Sequence, residues 1–231
     1  GLLRSRAAAL AGILNGVDYA VWHPARDSAI AATYSVDDLQ GKVACKAALR
    51  GALGLAAGDG PLFAVVSRLT GQKGLDLVLE ALHELVRQGG QLALLGSGER
   101  AMESGFQAAA ARFPGAVAVR QGHDEALAHR FFAAADVVLV PSRFEPCGLT
   151  QMYGLAYGSL PLVRRVGGLA DTVRNVNPRT GTGTGFCFEA YSPEALLGTL
   201  RWALDIYKDR RLWRRIQRSG IGQSRQPSAN K

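Results

Sequence analysis

Asp136-Val137-Val138-Leu139-Val140-Pro141-Ser142-Arg143-Phe144-Glu145-Pro146-Cys147-Gly148-Leu149-Thr150 is the stretch whose reading decides the fold. Val137 to Val140 form a short β-branched apolar run, the kind that is buried on both faces of a parallel sheet. Pro141 ends it, and Glu145, Pro146 and Gly148 follow just beyond the strand's carboxyl end. Leu149 and Thr150 then open a helix-forming segment. An acid, a turn and a helix start at that place aim a carboxylate and backbone N–H groups into one cleft. Open α/β sheets bind their ligands there.

The same grammar repeats along the chain. Leu62 to Val66, Leu92 to Leu95, Val117 to Val119, Leu160 to Val163 and Phe186 to Phe188 are further strand candidates. Between them, Leu75, Val78, Leu79, Leu82, Leu85 and Val86 recur at helical spacing, as do Leu196, Leu197, Leu200, Leu204 and Tyr207. Strands alternating with helices are the signature of βαβ units, so the expected fold is α/β, a Rossmann-like parallel sheet with flanking helices. A length of 231 residues suits one such domain with extensions.

Composition narrows the function classes. Hydrophobic residues make up 48% and charged residues 20%, and no apolar stretch approaches the roughly 18 residues of a membrane span, so no membrane partner is expected. The net charge of +8 is concentrated near the end, where Arg201, Lys208, Arg210, Arg211, Arg214, Arg215 and Arg218 accompany Leu204, Ile206, Leu212, Trp213 and Ile216. That pattern reads as an amphipathic helix with a solvated basic face, and without a recognition motif it implies no nucleic-acid partner. Cys45, Cys147 and Cys187 are isolated, which suggests neither a zinc site nor a disulfide framework and fits a reducing cytoplasm or plastid stroma. His23, His83 and His129 lack metal-ligand spacing, so no metal is expected.

A second chemical motif is Ser67-Arg68-Leu69-Thr70-Gly71-Gln72-Lys73-Gly74-Leu75-Asp76, directly after the Leu62 strand. Arg68 offers a planar fork to phosphate oxygens and Lys73 a compact point charge, so the pair could grip a diphosphate. Gly167-Gly168-Leu169 sets another turn at a strand-to-helix junction. Gly96-Ser97-Gly98 falls short of a dinucleotide fingerprint and reads as a turn.

These blocks, with Ile13-Leu14-Asn15-Gly16-Val17-Asp18, the run Val163 to Val173 and Gly183-Thr184-Gly185-Phe186, resemble the bacterial glycogen synthase and plant starch synthase family in order and spacing. The resemblance runs from about Gly1 to Arg218. It implies the GT-B architecture of two Rossmann-like domains facing a cleft, and retaining transfer of glucose from ADP-glucose to the non-reducing end of an α-1,4-glucan. It gives Glu145, Arg68 and Lys73 the catalytic roles. Asn15, His123, Cys147, Gly148, Leu149, Thr150, Tyr153, Gly167 and Gly168 become donor-binding positions, with His123 where many relatives carry Tyr against the adenine. Tyr153 occupies the second position of the family's Glu-x7-Glu-like element, and Val166 stands where a hydroxyl residue is common. ADP-glucose serves as substrate, with no separate cofactor.

Nothing like the family's amino-terminal Lys-x-Gly-Gly motif occurs before Asn15, so the resemblance is to the carboxyl-terminal donor half, with the glucan held through the missing amino-terminal domain. The expected organisation is an interdomain crossover and linker over 1–40, a nucleotide-sugar domain over 41–218 and a disordered polar tail over 219–231. Two alternatives stay open: a non-catalytic nucleotide-sugar or glucan-binding module, and a related retaining glycosyltransferase using UDP-glucose.

Overall fold

Among the described residues, β1 (Leu62–Val66), β2 (Gln91–Gly96), β3 (Val117–Gln121), β4 (Val137–Val140), β5 (Leu160–Arg164) and β6 (Phe186–Phe188) form one sheet in the order β3-β2-β1-β4-β5-β6. Every neighbouring pair is parallel, with Phe63 opposite Val137 and Leu162 opposite Phe186. The computed structural model describes residues 15–224 together with Ser5, Arg6 and Ala9. All six strands expected from apolar runs are present.

The chain winds first to one side and then to the other. From β1 it passes through α2 (Leu75–Arg87), β2 and α3 (Arg100–Arg112) to β3. Leu75, Leu82 and Phe106 of these helices bury against Phe63, Leu92 and Val137, together with α7 (Pro193–Lys208). The chain then returns through α4 (Glu125–Ala134) to β4, α5 (Thr150–Ala156), β5 and α6 (Gly167–Thr172). Phe131, Ala156 and Leu169 cover the opposite face with α1 (Gln40–Leu53). Local chemistry starts the helices: Asp124 accepts the Leu127 N–H at 2.9 Å to cap α4, and Ser192 accepts the Ala195 N–H ahead of Pro193 in α7.

Three expectations need correction. The basic amphipathic segment is two helices, α7 and α8 (Arg210–Ser224), because Asp209 leaves the helical conformation and its carboxylate accepts the Arg211 and Leu212 N–H groups. The tail expected to be disordered from 219 is helical as far as Ser224, and residues 225–231 lie outside those described. Its polar composition hid Gly220 and Ile221, which continue the apolar face of Trp213 and Ile216 and pack against Leu155, Gly158 and Leu160. The stretch from Pro24 to Asp37, expected as linker, is packed on the domain: Asp27, Ile30 and Tyr34 are buried. Residues 1–14 of the expected crossover lie outside the described set, apart from Ser5, Arg6 and Ala9.

One row of cations lies at the amino end of the sheet. Lys42, Lys46 and Arg50 are spaced four apart on α1 and turn inward. Lys42 Nζ donates to the carbonyls of Ala133 and Tyr157, both at 3.0 Å, and so meets the negative ends of α4 and α5. Tyr34 Oη reaches the same two carbonyls. Lys46 pairs with Asp136 at 2.6 Å, and Asp136 also accepts the first N–H of β1. Arg50 bonds Gln91 and the carbonyls of Gly58 and Gly60.

Burial pushes Lys42 down from 10.5 to about 7. Between those values the unfolded chain binds the proton more tightly than the folded one, so this group's contribution makes stability rise with pH across that window and stay at its lower level below it. Urea denaturation of Lys42→Met is therefore expected to lack this component of the pH slope. At the alkaline end the substitution should still lower stability by about 1–3 kcal/mol, because it removes hydrogen bonds in a buried site.

Candidate functional site

β1 and β4 are neighbours, yet the chain leaves them toward opposite faces, into α2 and α5. A crevice opens where the strand order reverses, and the two chemical motifs line it from either side. After β1, Gly71–Lys73 makes one turn of 3-10 helix, and Gly74, at φ 67°, turns the chain into α2. A Cβ at Gly74 would lie 2.1 Å from the Pro141 carbonyl, so only glycine lets the two loops approach.

Across the crevice, Lys73 Nζ meets Glu145 Oε2 at 2.6 Å. Glu145 is only 8% exposed. Ser142 Oγ donates to the same carboxylate oxygen at 3.1 Å. Both of these bonds go to Oε2, and Oε1 has no hydrogen-bond partner among the described residues. Lys73 spends one of its three donors on Glu145. The Arg68 side chain is exposed and has no ion pair among the described residues. Cations and carboxylate are thus offered together, with the acid's charge already compensated.

The Glu145 loop is held from beneath. Gly168 N–H donates to the Glu145 carbonyl at 3.0 Å. A Cβ at Gly167 would stand 2.1 Å from that oxygen, and one at Gly168 would stand 2.2 Å from the Cys147 oxygen. The Gly-Gly pair therefore permits close approach of α6 to the acid loop as well as a turn. Gln151, fully buried, donates through Nε2 to the carbonyls of Cys147 and Gly148 and to Thr172 Oγ1. Gly148 takes φ 75°, and α5 begins after Leu149 with no side-chain cap, leaving its first N–H groups at the crevice. Thr150 Oγ1 points back to the Val66 carbonyl at 3.5 Å.

Other expected site residues are distributed unevenly. Asn15 reaches the motif through its backbone, whose N–H donates to Cys147 Sγ at 3.3 Å. Tyr153 belongs to a three-ring stack, its centroid 4.0 Å from Trp22, which lies 3.7 Å from His129 on its other side. Beneath the stack, Asp27 takes hydrogen bonds from His129 and Tyr157. Tyr153 thus contributes to holding the segment around Trp22 on the domain. His123 is exposed at the end of β3, three strand spacings from β4, about 14 Å away along the sheet. Gly96 and Gly98 do more than turn the chain: their Cβ atoms would strike the Ser67 and Leu69 carbonyls at 1.9 and 2.3 Å, where β2 closes on the Arg68 loop.

Sequence reasoning missed Ser142, Gln151, Trp22 and Asp27. Ser142 and Gln151 lie within or beside the quoted motif, and a count of the loop's unpaired carbonyls would have pointed to Gln151. Trp22 and Asp27 left no local signal, because their partners are more than a hundred residues away.

The family model of group 1 glycosyl transferases matches residues 54–219. A glycogen synthase from Leptothrix cholodnii is 55% identical over 226 residues, 96% of this chain and 46% of the relative. The catalytic domain of starch synthase IV from Arabidopsis thaliana, solved with ADP and acarbose, is similar at a TM-score of 0.90 and 36% identity, over 95% of this chain and 46% of that one. The fold is also that of the C-terminal domain of a glycosyl transferase group 1 family protein from Francisella tularensis, at a TM-score of 0.64 and 16% identity, covering 90% of this chain and 96% of that domain. The chain spans about half the length of the curated relatives it matches.

The close approach at Gly168 can be tested by comparing two alanine substitutions in chemical denaturation. Gly168→Ala is expected to lower stability by roughly 1–3 kcal/mol, because the loop or helix must move to admit the Cβ. Gly51→Ala, exposed on α1 with nothing within 4 Å of the new Cβ, is expected to raise it by up to about 1 kcal/mol.

Proposed function

Because the chain belongs to the glycosyl transferases of group 1, we propose that it is the donor-binding half of a retaining glucosyltransferase that moves glucose from ADP-glucose to the non-reducing end of an α-1,4-glucan. The observation that carries this reading is the Lys73–Glu145 pair at the strand-order reversal, with one carboxylate oxygen unengaged and exposed Arg68 on the same loop as Lys73. A nucleoside diphosphate sugar needs both parts: cations for the diphosphate and an acceptor for the sugar hydroxyls.

In this reading Arg68 and the remaining donors of Lys73 hold the diphosphate. They stabilise the charge that grows on it as the bond to the sugar breaks. The uncapped first turn of α5, after Gly148, Leu149 and Thr150, adds N–H groups, and Gly167 and Gly168 let α6 close in behind. Glu145 Oε1 accepts hydroxyl hydrogens of the glucose and stabilises positive character at its reacting carbon. Asn15 and Cys147 line the sugar end. His123, about 14 Å along the sheet, lies on the side left for the base.

Transfer proceeds on one face of the sugar: the C1–phosphate oxygen bond breaks, the acceptor hydroxyl oxygen bonds to C1, and its proton passes to the departing phosphate. A double displacement of the glycosidase type uses a second carboxylate about 5–5.5 Å from the first. Position 153 is Tyr, and no described ion pair or hydrogen bond brings another acid to Glu145. A trapped glucosyl adduct of the chain would contradict the one-face course.

The donor preference for ADP and the glucan acceptor are supported by the similar glycogen and starch synthases. Phe144, 59% exposed beside Glu145, suits contact with a second half across the cleft, and transfer belongs to that longer protein. Calorimetric titration of this chain with ADP-glucose is expected to give specific binding that Arg68→Ala and Glu145→Gln each weaken about tenfold or more, the loss expected for a hydrogen bond to a charged group. UDP-glucose is expected to compete poorly. Absence of ADP-glucose binding in folded protein, or equal affinity for both donors, would overturn the assignment.

A further inference from the structure

Lys73 and Glu145 sit on separate loops, and their direct link is a single contact of 2.6 Å. The loops themselves are stitched by other groups. Arg143 N–H donates to the Gln72 carbonyl at 2.9 Å, and Gln72 Nε2 reaches the Phe144 carbonyl at 3.3 Å. The Arg143 guanidinium crosses to Asp76 Oδ2 in the first turn of α2 at 2.8 Å.

Tyr191, from the connection between β6 and α7, stands over this junction. Its hydroxyl donates to Asp76 Oδ1 at 2.6 Å. Its ring lies 4.2 Å from the Arg143 guanidinium carbon and 5.5 Å from that of Arg164, which donates to the Arg143 carbonyl at 2.8 Å. Two guanidinium groups this close repel, and the ring face with the Asp76 carboxylate offsets that repulsion. Burial raises the Tyr191 hydroxyl to about 12, so it remains the donor to Asp76 across ordinary pH. The ring also comes within 3.3 Å of where a Cβ at Gly74 would stand. Asp76 and Tyr191 are 115 residues apart in the chain, and among the described residues no hydrogen bond or ion pair links either of them to Glu145 or Lys73.

We propose that Tyr191, with Asp76 and Arg143, is a positioning brace that holds the Glu145 loop in register with Lys73 and so sets the preference for a nucleoside diphosphate sugar over the bare diphosphate. The inference rests on the donor reading above. Its sugar selectivity follows from the separate anchoring of the two loops. The Arg68 loop is tied to β2 and α3, through Leu69 N–H to the Ser97 carbonyl and Gly71 N–H to Glu99, and these ties do not involve Tyr191. Loss of the brace therefore shifts Glu145 relative to the sugar while the diphosphate cations stay in place.

Amide hydrogen exchange of the unliganded chain tests the brace itself. Tyr191→Ala is expected to speed exchange about tenfold or more at Arg143 and Gly168, whose N–H groups bond Gln72 and Glu145, while Leu139 and other strand amides are unchanged. Tyr191→Phe, which keeps the ring but loses the Asp76 bond, should fall between. In calorimetry, Tyr191→Ala is expected to reduce the ratio of ADP-glucose to ADP affinity about tenfold, with ADP affinity held within about twofold. Adding Glu145→Gln to Tyr191→Ala should cost little more, since both remove the same contact. Unchanged exchange at Arg143 and Gly168, equal loss of ADP and ADP-glucose affinity, or additivity with Glu145→Gln would overturn the proposal. If the parental chain binds neither ligand, the donor reading and the selectivity claim fall, and the exchange data alone uphold or overturn the brace.

Discussion

The constraint on which the rest depends is the reversal of winding between β1 and β4. Each parallel strand must be followed by a crossover that covers one face of the sheet. The first crossovers cover one face and the later ones the other, so the two central strands send their chains apart. Backbone cannot fill the space between, and that space becomes the crevice. Charged side chains from both loops can then meet there, close to water yet backed by a sheet whose central strands are buried. The Lys73–Glu145 pair is a product of this geometry. Its partners are 72 residues apart in the chain and 2.6 Å apart in space.

Bringing two loops and a following helix to one place demands close approach of backbones. The chain meets this demand with glycine at Gly74, Gly96, Gly98, Gly167 and Gly168, where any Cβ would fall 1.9–2.3 Å from a carbonyl oxygen. Buried polar side chains satisfy the carbonyls that the loops leave unpaired, chiefly Gln151 beneath the acid loop. The opposite end of the sheet uses the same logic with charge: Lys42 and Lys46 answer the carbonyl ends of two helices and the acid that caps β1. One end of the sheet thus carries buried cations answered by carbonyls and an acid, and the other carries the Lys73–Glu145 crevice.

The place of Glu145 just beyond a strand's carboxyl end was legible because its signals are local: a strand, a proline, a turn and a helix start within fifteen residues. Lys73 was legible for the same reason. Tyr153 was placed by its spacing from Glu145, but spacing did not say which way the ring faces, and the ring lies on Trp22. The disordered tail was inferred from polar composition, and the burial of Gly220 and Ile221 against α5 and β5, continuing the apolar face of Trp213 and Ile216, prevailed over it. The segment from Pro24 to Asp37 misled in a similar way. It has no periodicity, and it is held by distant partners such as the His129 ring and the carbonyls of Ala133 and Tyr157.

The sequence by itself determined the number and order of the strands, the parallel class of the sheet and the two motifs that meet in the crevice. These follow from period, β-branched runs and turn residues, which act over a few residues. Tertiary structure alone decided that Glu145 keeps one oxygen free, that Gly168 must lack a side chain, that Tyr191 braces the acid loop and that Lys42 is buried. Each of these depends on distances between segments far apart in the chain, and such distances are set only when the whole sheet and both helical layers pack together.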